Sequence, residues 1–125
     1  MPDNRLLIVD DQRLVGDLIG KIGDIAGFTV KVTTHVDEFL TELDAFLPSV
    51  VTIDLVMPEI DGIELLRELA LRGCTAKVVV ASGLDARMLN SARVLGQELG
   101  LNIAGAITKP IRAADLRNLF EGLKA

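Results

Sequence analysis

Short apolar runs alternate with longer segments of helical period five times along the 125 residues. The runs cover 6–9, 28–32, 50–53, 77–81 and 103–107. Runs of this length, bounded by turn residues and rich in Val and Ile, predict strands. Between them the apolar residues return every three or four positions. Leu14, Leu18, Ile22 and Ile25, with Val15 and Ile19 beside them, predict a first helix, and Gly27 supplies its left-handed stop. Thr34 is placed to cap a second helix whose apolar face is Val36, Phe39, Leu40 and Leu43, ended before Pro48. Ile63, Leu66, Leu69 and Ala70 mark a third, which follows Pro58 and Gly62 and closes near Gly73. A fourth runs from a cap at Asp85 to Leu99 on a stripe of Met88, Ala92, Leu95 and Leu99, with Gly100 as its stop. The fifth follows Pro110 and carries Leu116, Leu119, Phe120 and Leu123.

Strands alternating with helices imply right-handed crossovers and a parallel sheet. The expected fold is therefore α/β, a (βα)5 doubly wound parallel sheet forming one domain over residues 1–125. The first, third and fourth runs are apolar on both faces, as central strands covered by helices are. The second alternates Thr29, Lys31 and Thr33 with Phe28, Val30 and Val32, which suits an edge. Strand order 2-1-3-4-5 follows, with the topological switch point between the first and third strands.

That order gives meaning to four short polar pieces. Asp10-Asp11, Asp54, Ser82 and Lys109-Pro110 each follow an apolar run, where a strand ends. Open parallel sheets bind ligands outside the carboxyl ends of their strands. Clustered carboxylates repel one another, and a divalent cation relieves that repulsion. Mg2+ takes oxygen ligands, commonly one or two carboxylates plus phosphate oxygens and water. Asp11 and Asp54 are the candidate direct ligands, Asp10 is placed to hold a metal-bound water or orient Asp11, and the Val56 backbone carbonyl is a further candidate. Asp54 is also the candidate nucleophile, since carboxylates form aspartyl phosphates. Lys109 can neutralise one phosphoryl oxygen and the Ser82 hydroxyl can hydrogen-bond another.

Composition narrows the classes. Half the residues are hydrophobic but only four are aromatic, all Phe, so the core is aliphatic. The net charge of −5 has no basic stripe, which argues against nucleic-acid binding by this domain. No apolar run approaches the roughly 18 residues that span a bilayer, and 1–4 lack a basic, apolar leader pattern, so neither membrane insertion nor secretion is expected. Cys74 is the single cysteine, compatible with a reducing cytoplasm. One histidine, His35, and one cysteine make a zinc site improbable.

Together, Leu7-Ile8-Val9-Asp10-Asp11, the stretch Asp54-Leu55-Val56-Met57-Pro58-Glu59-Ile60-Asp61-Gly62, Ala81-Ser82-Gly83 and Thr108-Lys109-Pro110 resemble a response regulator receiver domain, the phospho-acceptor module of two-component signalling. The resemblance covers essentially the whole chain and implies a flavodoxin-like fold. It implies that Asp54 takes a phosphoryl group from a partner histidine kinase or phosphotransfer protein with Mg2+, that Asp10 and Asp11 serve the metal, and that Ser82 and Lys109 read the phosphoryl group. It implies no enzyme beyond self-phosphotransfer and slow self-dephosphorylation. An output domain or partner protein would receive the signal, and phosphorylation-linked homodimerisation belongs to the same expectation.

The chain departs from that pattern in three places. Receivers usually carry Tyr or Phe three residues before the lysine, where Ala106 stands here, and no aromatic occurs between Phe46 and Phe120. The stretch from Ser82 to Lys109 is longer than usual, and its sequence resembles receivers joined to EAL-type cyclic-di-GMP phosphodiesterases. Val56 and Leu84, two residues after Asp54 and Ser82, flank the path of the hydrolytic water in receivers; both are apolar, so slow self-dephosphorylation is expected. Two rival readings are weighed beside the receiver. One is a Mg2+-dependent phosphohydrolase with an Asp nucleophile, of the haloacid-dehalogenase kind. Its pattern wants two Asp flanking one position, whereas Asp10 and Asp11 are adjacent. The other is a phosphorylation-independent interaction module.

Overall fold

The structure is a computed structural model and describes residues 3–83 and 86–125. Its elements run β1 (Arg5–Val9), α1 (Arg13–Ile25), β2 (Thr29–Thr33), α2 (Val36–Phe46), β3 (Val50–Asp54), α3 (Gly62–Leu71), β4 (Lys77–Ser82), α4 (Ala86–Glu98), β5 (Asn102–Thr108) and α5 (Ala113–Leu123). All strand pairs are parallel and the sheet order is β2-β1-β3-β4-β5, as the patterning predicts. β1, β3 and β4 lie inside the sheet and β2 at its edge.

Because side chains alternate across a strand, each central strand feeds two cores. Leu7, Val9, Val51, Ile53, Val78 and Val80 pack with α2, α3 and α4 around the fully buried Phe39, Leu65, Leu66 and Leu69. Leu6, Ile8, Val50, Val79, Ala81 and Ile107 pack with α1 and α5 around Ile19 and Phe120. Burying one such side chain contributes about 1.5–3 kcal/mol, so the double-sided sheet holds the strand ends, and the residues just beyond them, at fixed spacing.

Several local expectations change. The face of α1 that meets the sheet is Gly16, Ile19, Gly20, Ile22 and Gly23, while Leu14 is 84% exposed and Leu18 and Ile25 also face outward. A Cβ on Gly23 would stand 2.5 Å from Leu6, and one on Gly16 2.9 Å from Val32. The helix therefore approaches the sheet closely by its glycines, with Ile19 and Ile22 packed between them and Leu14, Leu18 and Ile25 left outside. The capping position of α2 is His35 rather than Thr34, and it makes no side-chain cap bond; the helix ends at Leu47 in a left-handed conformation (φ 52°). On α4 the buried positions are Leu89, Ala92 and Gly96, so the expected stripe is rotated, with Met88 and Leu99 at its margin. Gly96 makes room for the Ile103 side chain of β5, whose Cδ1 a Cβ there would meet at 2.5 Å. Asp85, the expected α4 cap, lies outside the described residues.

Among the described residues, Thr52 Oγ1 is the buried side-chain polar atom without a hydrogen-bond partner. It sits on β3 between Ile8 and Val79. An unsatisfied buried hydroxyl costs about 1–3 kcal/mol. Thr52→Val keeps the shape and removes the hydroxyl, so it should stabilise the fold by about 1 kcal/mol. Urea unfolding checks this, and a lower midpoint for the variant contradicts it.

Candidate functional site

Asp10 is the first residue past β1. Its backbone N–H donates to Thr33 O at 3.2 Å, continuing the pairing with β2 by one residue. Thr33 is itself fixed by a buried hydrogen bond from its hydroxyl to Ile8 O at 2.7 Å. The Asp10 carboxylate has two partners: Oδ1 accepts from the Gln12 amide at 2.9 Å, and Oδ2 receives the Lys109 ammonium at 3.0 Å. Asp54, the last residue of β3, repeats the arrangement. Its Oδ1 accepts from the Val56 amide at 3.1 Å, and its Oδ2 lies 3.4 Å from Lys109 Nζ. Each buried carboxylate thus commits one oxygen to a backbone amide and turns the other toward one shared lysine.

Asp11 completes the acidic group. Ligand oxygens of Asp10, Asp11 and Asp54 lie within 4.8 Å of one another, with Asp10 and Asp54 buried and Asp11 exposed. Three carboxylates and one ammonium leave an excess of negative charge in a small volume. The Asp54 carboxyl is pushed up to about 6, first by burial, with the Asp10 charge adding to it and the Val56 amide and Lys109 opposing it. Burial pulls the Lys109 ammonium down, but the hydrogen bond to Asp10 and the charges of Asp54 and Asp10 outweigh it and hold it above its ordinary value.

A cleft of about 520 Å³ opens over this group, lined by Asp11, Gln12, Asp54, Val56, Met57, Pro58, Gly83 and Lys109. Lys109 reaches it from the end of β5. Its backbone N–H donates to Ser82 O at 3.1 Å, and the Lys109–Pro110 peptide is cis. Gly83 lets the lysine stem pass, since a Cβ there would sit 3.3 Å from Lys109 Cβ. Ser82 is buried at the end of β4, and its Oγ lies 3.8 Å from Met88 Sδ on α4. Gly83, rather than Ser82, forms the cleft wall. Val56 is on the rim, 44% exposed, and is bridged to Asp61 across the loop. Leu84, its expected counterpart, lies outside the described residues.

The loop after Asp54 is held by small-residue geometry. Asp61 caps α3 by accepting from the Ile63 amide at 2.9 Å. Gly62 then donates its N–H to Leu55 O at 3.3 Å. A Cβ on Gly62 would stand 2.6 Å from the Leu55 Cα, a backbone atom that cannot rotate away. Gly62→Ala should therefore push the loop outward and cost about 1–3 kcal/mol, the range for overpacking. Thermal unfolding checks this, and an unchanged midpoint contradicts it.

Of the residues expected from the strand ends, the structure brings Asp10, Asp11, Asp54 and Lys109 together directly, places Val56 on the rim and sets Ser82 behind Gly83. Sequence reasoning missed Gln12, whose amide orients Asp10, and Thr33, which anchors the end of β1. It also missed the pairing of His35 Nδ1 with Glu59 Oε1 at 3.2 Å, which links the start of α2 to the loop after Asp54. The position of Gln12, two residues after an aspartate at a helix start, was the one readable signal among these.

Residues 6–121 match the family model described as response regulator receiver domain. A protein-glutamate methylesterase/protein-glutamine glutaminase of Treponema denticola is 39% identical over 127 residues, covering 98% of this chain and 33% of that protein. The transcriptional regulatory protein CpxR of Klebsiella pneumoniae is 35% identical over 97 residues, covering 78% of this chain and 40% of that protein. The chain thus spans well under half the length of these curated relatives. The crystal structure of a response regulator from Colwellia psychrerythraea superimposes with a TM-score of 0.83 at 34% identity, covering 98% of this chain and 97% of that one. With the family match over nearly its full length and the sheet order and acidic pocket described above, this chain belongs to the response regulator receiver domains of two-component signalling.

Proposed function

We propose that the chain accepts a phosphoryl group on Asp54 from a histidine kinase or phosphotransfer protein and changes its partner contacts in response. The observation that carries this reading is the placement of Asp54, 4% exposed, with its Oδ2 3.4 Å from Lys109 and two further carboxylates beside it. An all-carboxylate oxygen set with one exposed member fits Mg2+, which favours oxygen donors and keeps several waters. Asp11 and Asp54 would hold the ion, with Asp10 through water and with the Val56 carbonyl. When bound, Mg2+ supplies charge neutralisation for the carboxylates and the incoming phosphoryl oxygens.

The residues of the chain do the rest. A carboxylate oxygen of Asp54 forms the new O–P bond while the N–P bond of a donor phosphohistidine breaks. The ring nitrogen keeps the electron pair and takes a proton. Positioning and charge neutralisation dominate such transfers. Lys109 meets a phosphoryl oxygen where it now meets Asp54 Oδ2, and the Ser82 hydroxyl donates to another. Phosphorylation replaces the single charge of the ionised Asp54 carboxylate with a phosphoryl group of up to two negative charges and three acceptor oxygens, which redistributes the Lys109 contacts. Val56 presents no group to orient a hydrolytic water, which supports slow self-dephosphorylation.

The same reading places the domain in the cytoplasm, with signalling rather than turnover as its task. It assigns the output to a linked domain or partner protein. The residues after Ser82 favour a cyclic-di-GMP phosphodiesterase as that output, and phosphorylation-linked homodimerisation is part of the reading. Among the described residues, no helix is long and apolar enough to cross a membrane.

Incubation with a small phosphodonor and Mg2+ tests the assignment. The reading predicts one acid-stable, base-labile phosphoryl group per chain, not formed when EDTA is present from the start, and no multiple turnover on a panel of phosphate monoesters. Turnover on that panel supports the phosphohydrolase instead.

A further inference from the structure

Ser82 and Met88 join the phosphoryl site to α4. Ser82 is 2% exposed at the end of β4, and its Oγ lies 3.8 Å from Met88 Sδ on the first turn of α4. A thioether sulfur is a weak acceptor. Hydrogen bonds to an anionic oxygen are roughly twice as strong as neutral ones, so a phosphoryl oxygen on Asp54 outcompetes the sulfur for the serine proton. Met88 is half-buried at the margin of the core on the α2–α3–α4 side. Its unbranched chain repacks at low cost.

The neighbouring strand presents a small, exposed residue on that side. Ala106 pairs with Val80, whose side chain belongs to the core beneath α4, so Ala106 lies on the α4-bearing face of the sheet. It is exposed and carries only a methyl. α4 is held from Leu89 onward: Leu89 is buried, Ala92 is fully buried and Gly96 abuts Ile103. The helix is thus anchored from Leu89 to Gly96, and Met88, the residue that touches the serine, sits just ahead of those anchors.

Resting on the acceptor role of Asp54, we propose that Met88 is the positioning residue through which α4 responds: when Ser82 turns to the phosphoryl group, the Ser82–Met88 contact is released and the first turn of α4 shifts toward the open face at Ala106. Met88 touches no reacting atom and acts through Ser82.

The full chain carries three methionines, Met1, Met57 and Met88. Labelling their methyl groups with 13C provides two internal reporters, because Met57 lines the cleft and Met88 does not. On adding Mg2+ and beryllofluoride, a phosphoryl mimic, both the Met57 and Met88 methyl signals should move, together with backbone amides of α4. In Met88→Ala at saturating mimic, Met57 should still move while the α4 amide shifts fall by at least half. Met88→Leu, which keeps the volume and removes the sulfur, should give an intermediate response and guards against a merely unfolded variant. A Met88 methyl that stays still while Met57 moves overturns the inference, as does a full α4 response in Met88→Ala. If neither Met57 nor the Asp54 amide responds, the acceptor role itself fails and takes the inference with it.

Discussion

Asp54→Asn is expected to abolish phosphoryl labelling while raising the stability of the metal-free protein. Asparagine keeps an oxygen for the Val56 amide, so the loop retains its bond, but it cannot form the acyl phosphate. It also removes one of three crowded carboxylates, two of them buried. The pH dependence has a definite sign. The native Asp54 carboxyl releases its proton near 6, against 3.8 for an ordinary aspartate. Between those values the folded state binds more protons than the unfolded chain, so stability falls as pH rises through about 6. The variant lacks this slope. Thermal unfolding in EDTA from pH 5 to 8 should show its advantage over the parent widening as pH rises through 6 and levelling above. An advantage that does not change with pH, or residual labelling of one group per chain, contradicts the account.

Lys109→Ala should have the opposite effect on stability. The ammonium lies 3.0 Å from Asp10 and 3.4 Å from Asp54, and those side chains are 1% and 4% exposed. Removing one partner of a buried ion pair costs about 3–5 kcal/mol because the remaining charge is stranded. The lysine keeps some access to water, which favours the lower figure, about 3 kcal/mol or a fall of about 10 °C in Tm for a domain of this size. Mg2+ should restore part of the loss by supplying positive charge to the same carboxylates. Phosphoryl labelling should slow on the order of a hundredfold, the effect of removing one charge-stabilising donor. Calorimetry in EDTA and in Mg2+ separates the two contributions. Equal Tm for parent and variant in EDTA contradicts the assigned role of the pair.

The sheet and the acidic cluster were legible because both depend on where strands end. Apolar runs and helical spacing gave the element order. The double-sided apolarity of the first, third and fourth runs put those strands at the centre, and that placement drew Asp10, Asp54 and Lys109 to one edge. What escaped was decided by close packing. Leu14, Leu18, Ile22 and Ile25 form an apolar stripe, yet α1 buries only Ile22 of these, together with Ile19, Gly16, Gly20 and Gly23, because a helix settles closest where its side chains are absent. Gly96 displaced the expected stripe of α4 in the same way. Hydropathy ranks glycine as neutral and cannot see this. The contact of Thr33 with Ile8 joins residues 25 apart, and that of Ser82 with Met88 crosses the turn between a strand and the next helix, where no periodicity encodes it. Ala106 was conspicuous in sequence as a missing ring, but which side chain meets Ser82 instead is a tertiary fact.

The central claim is that Asp54 itself carries the phosphoryl group, and chemical trapping tests it most directly. Borohydride reduction of the phosphorylated chain converts an aspartyl phosphate to homoserine, which peptide mass mapping then locates. The account predicts homoserine at position 54 alone, dependent on Mg2+ and absent from Asp54→Asn. Homoserine at another carboxylate, or phosphate that resists reduction and maps to a hydroxyl residue, contradicts it.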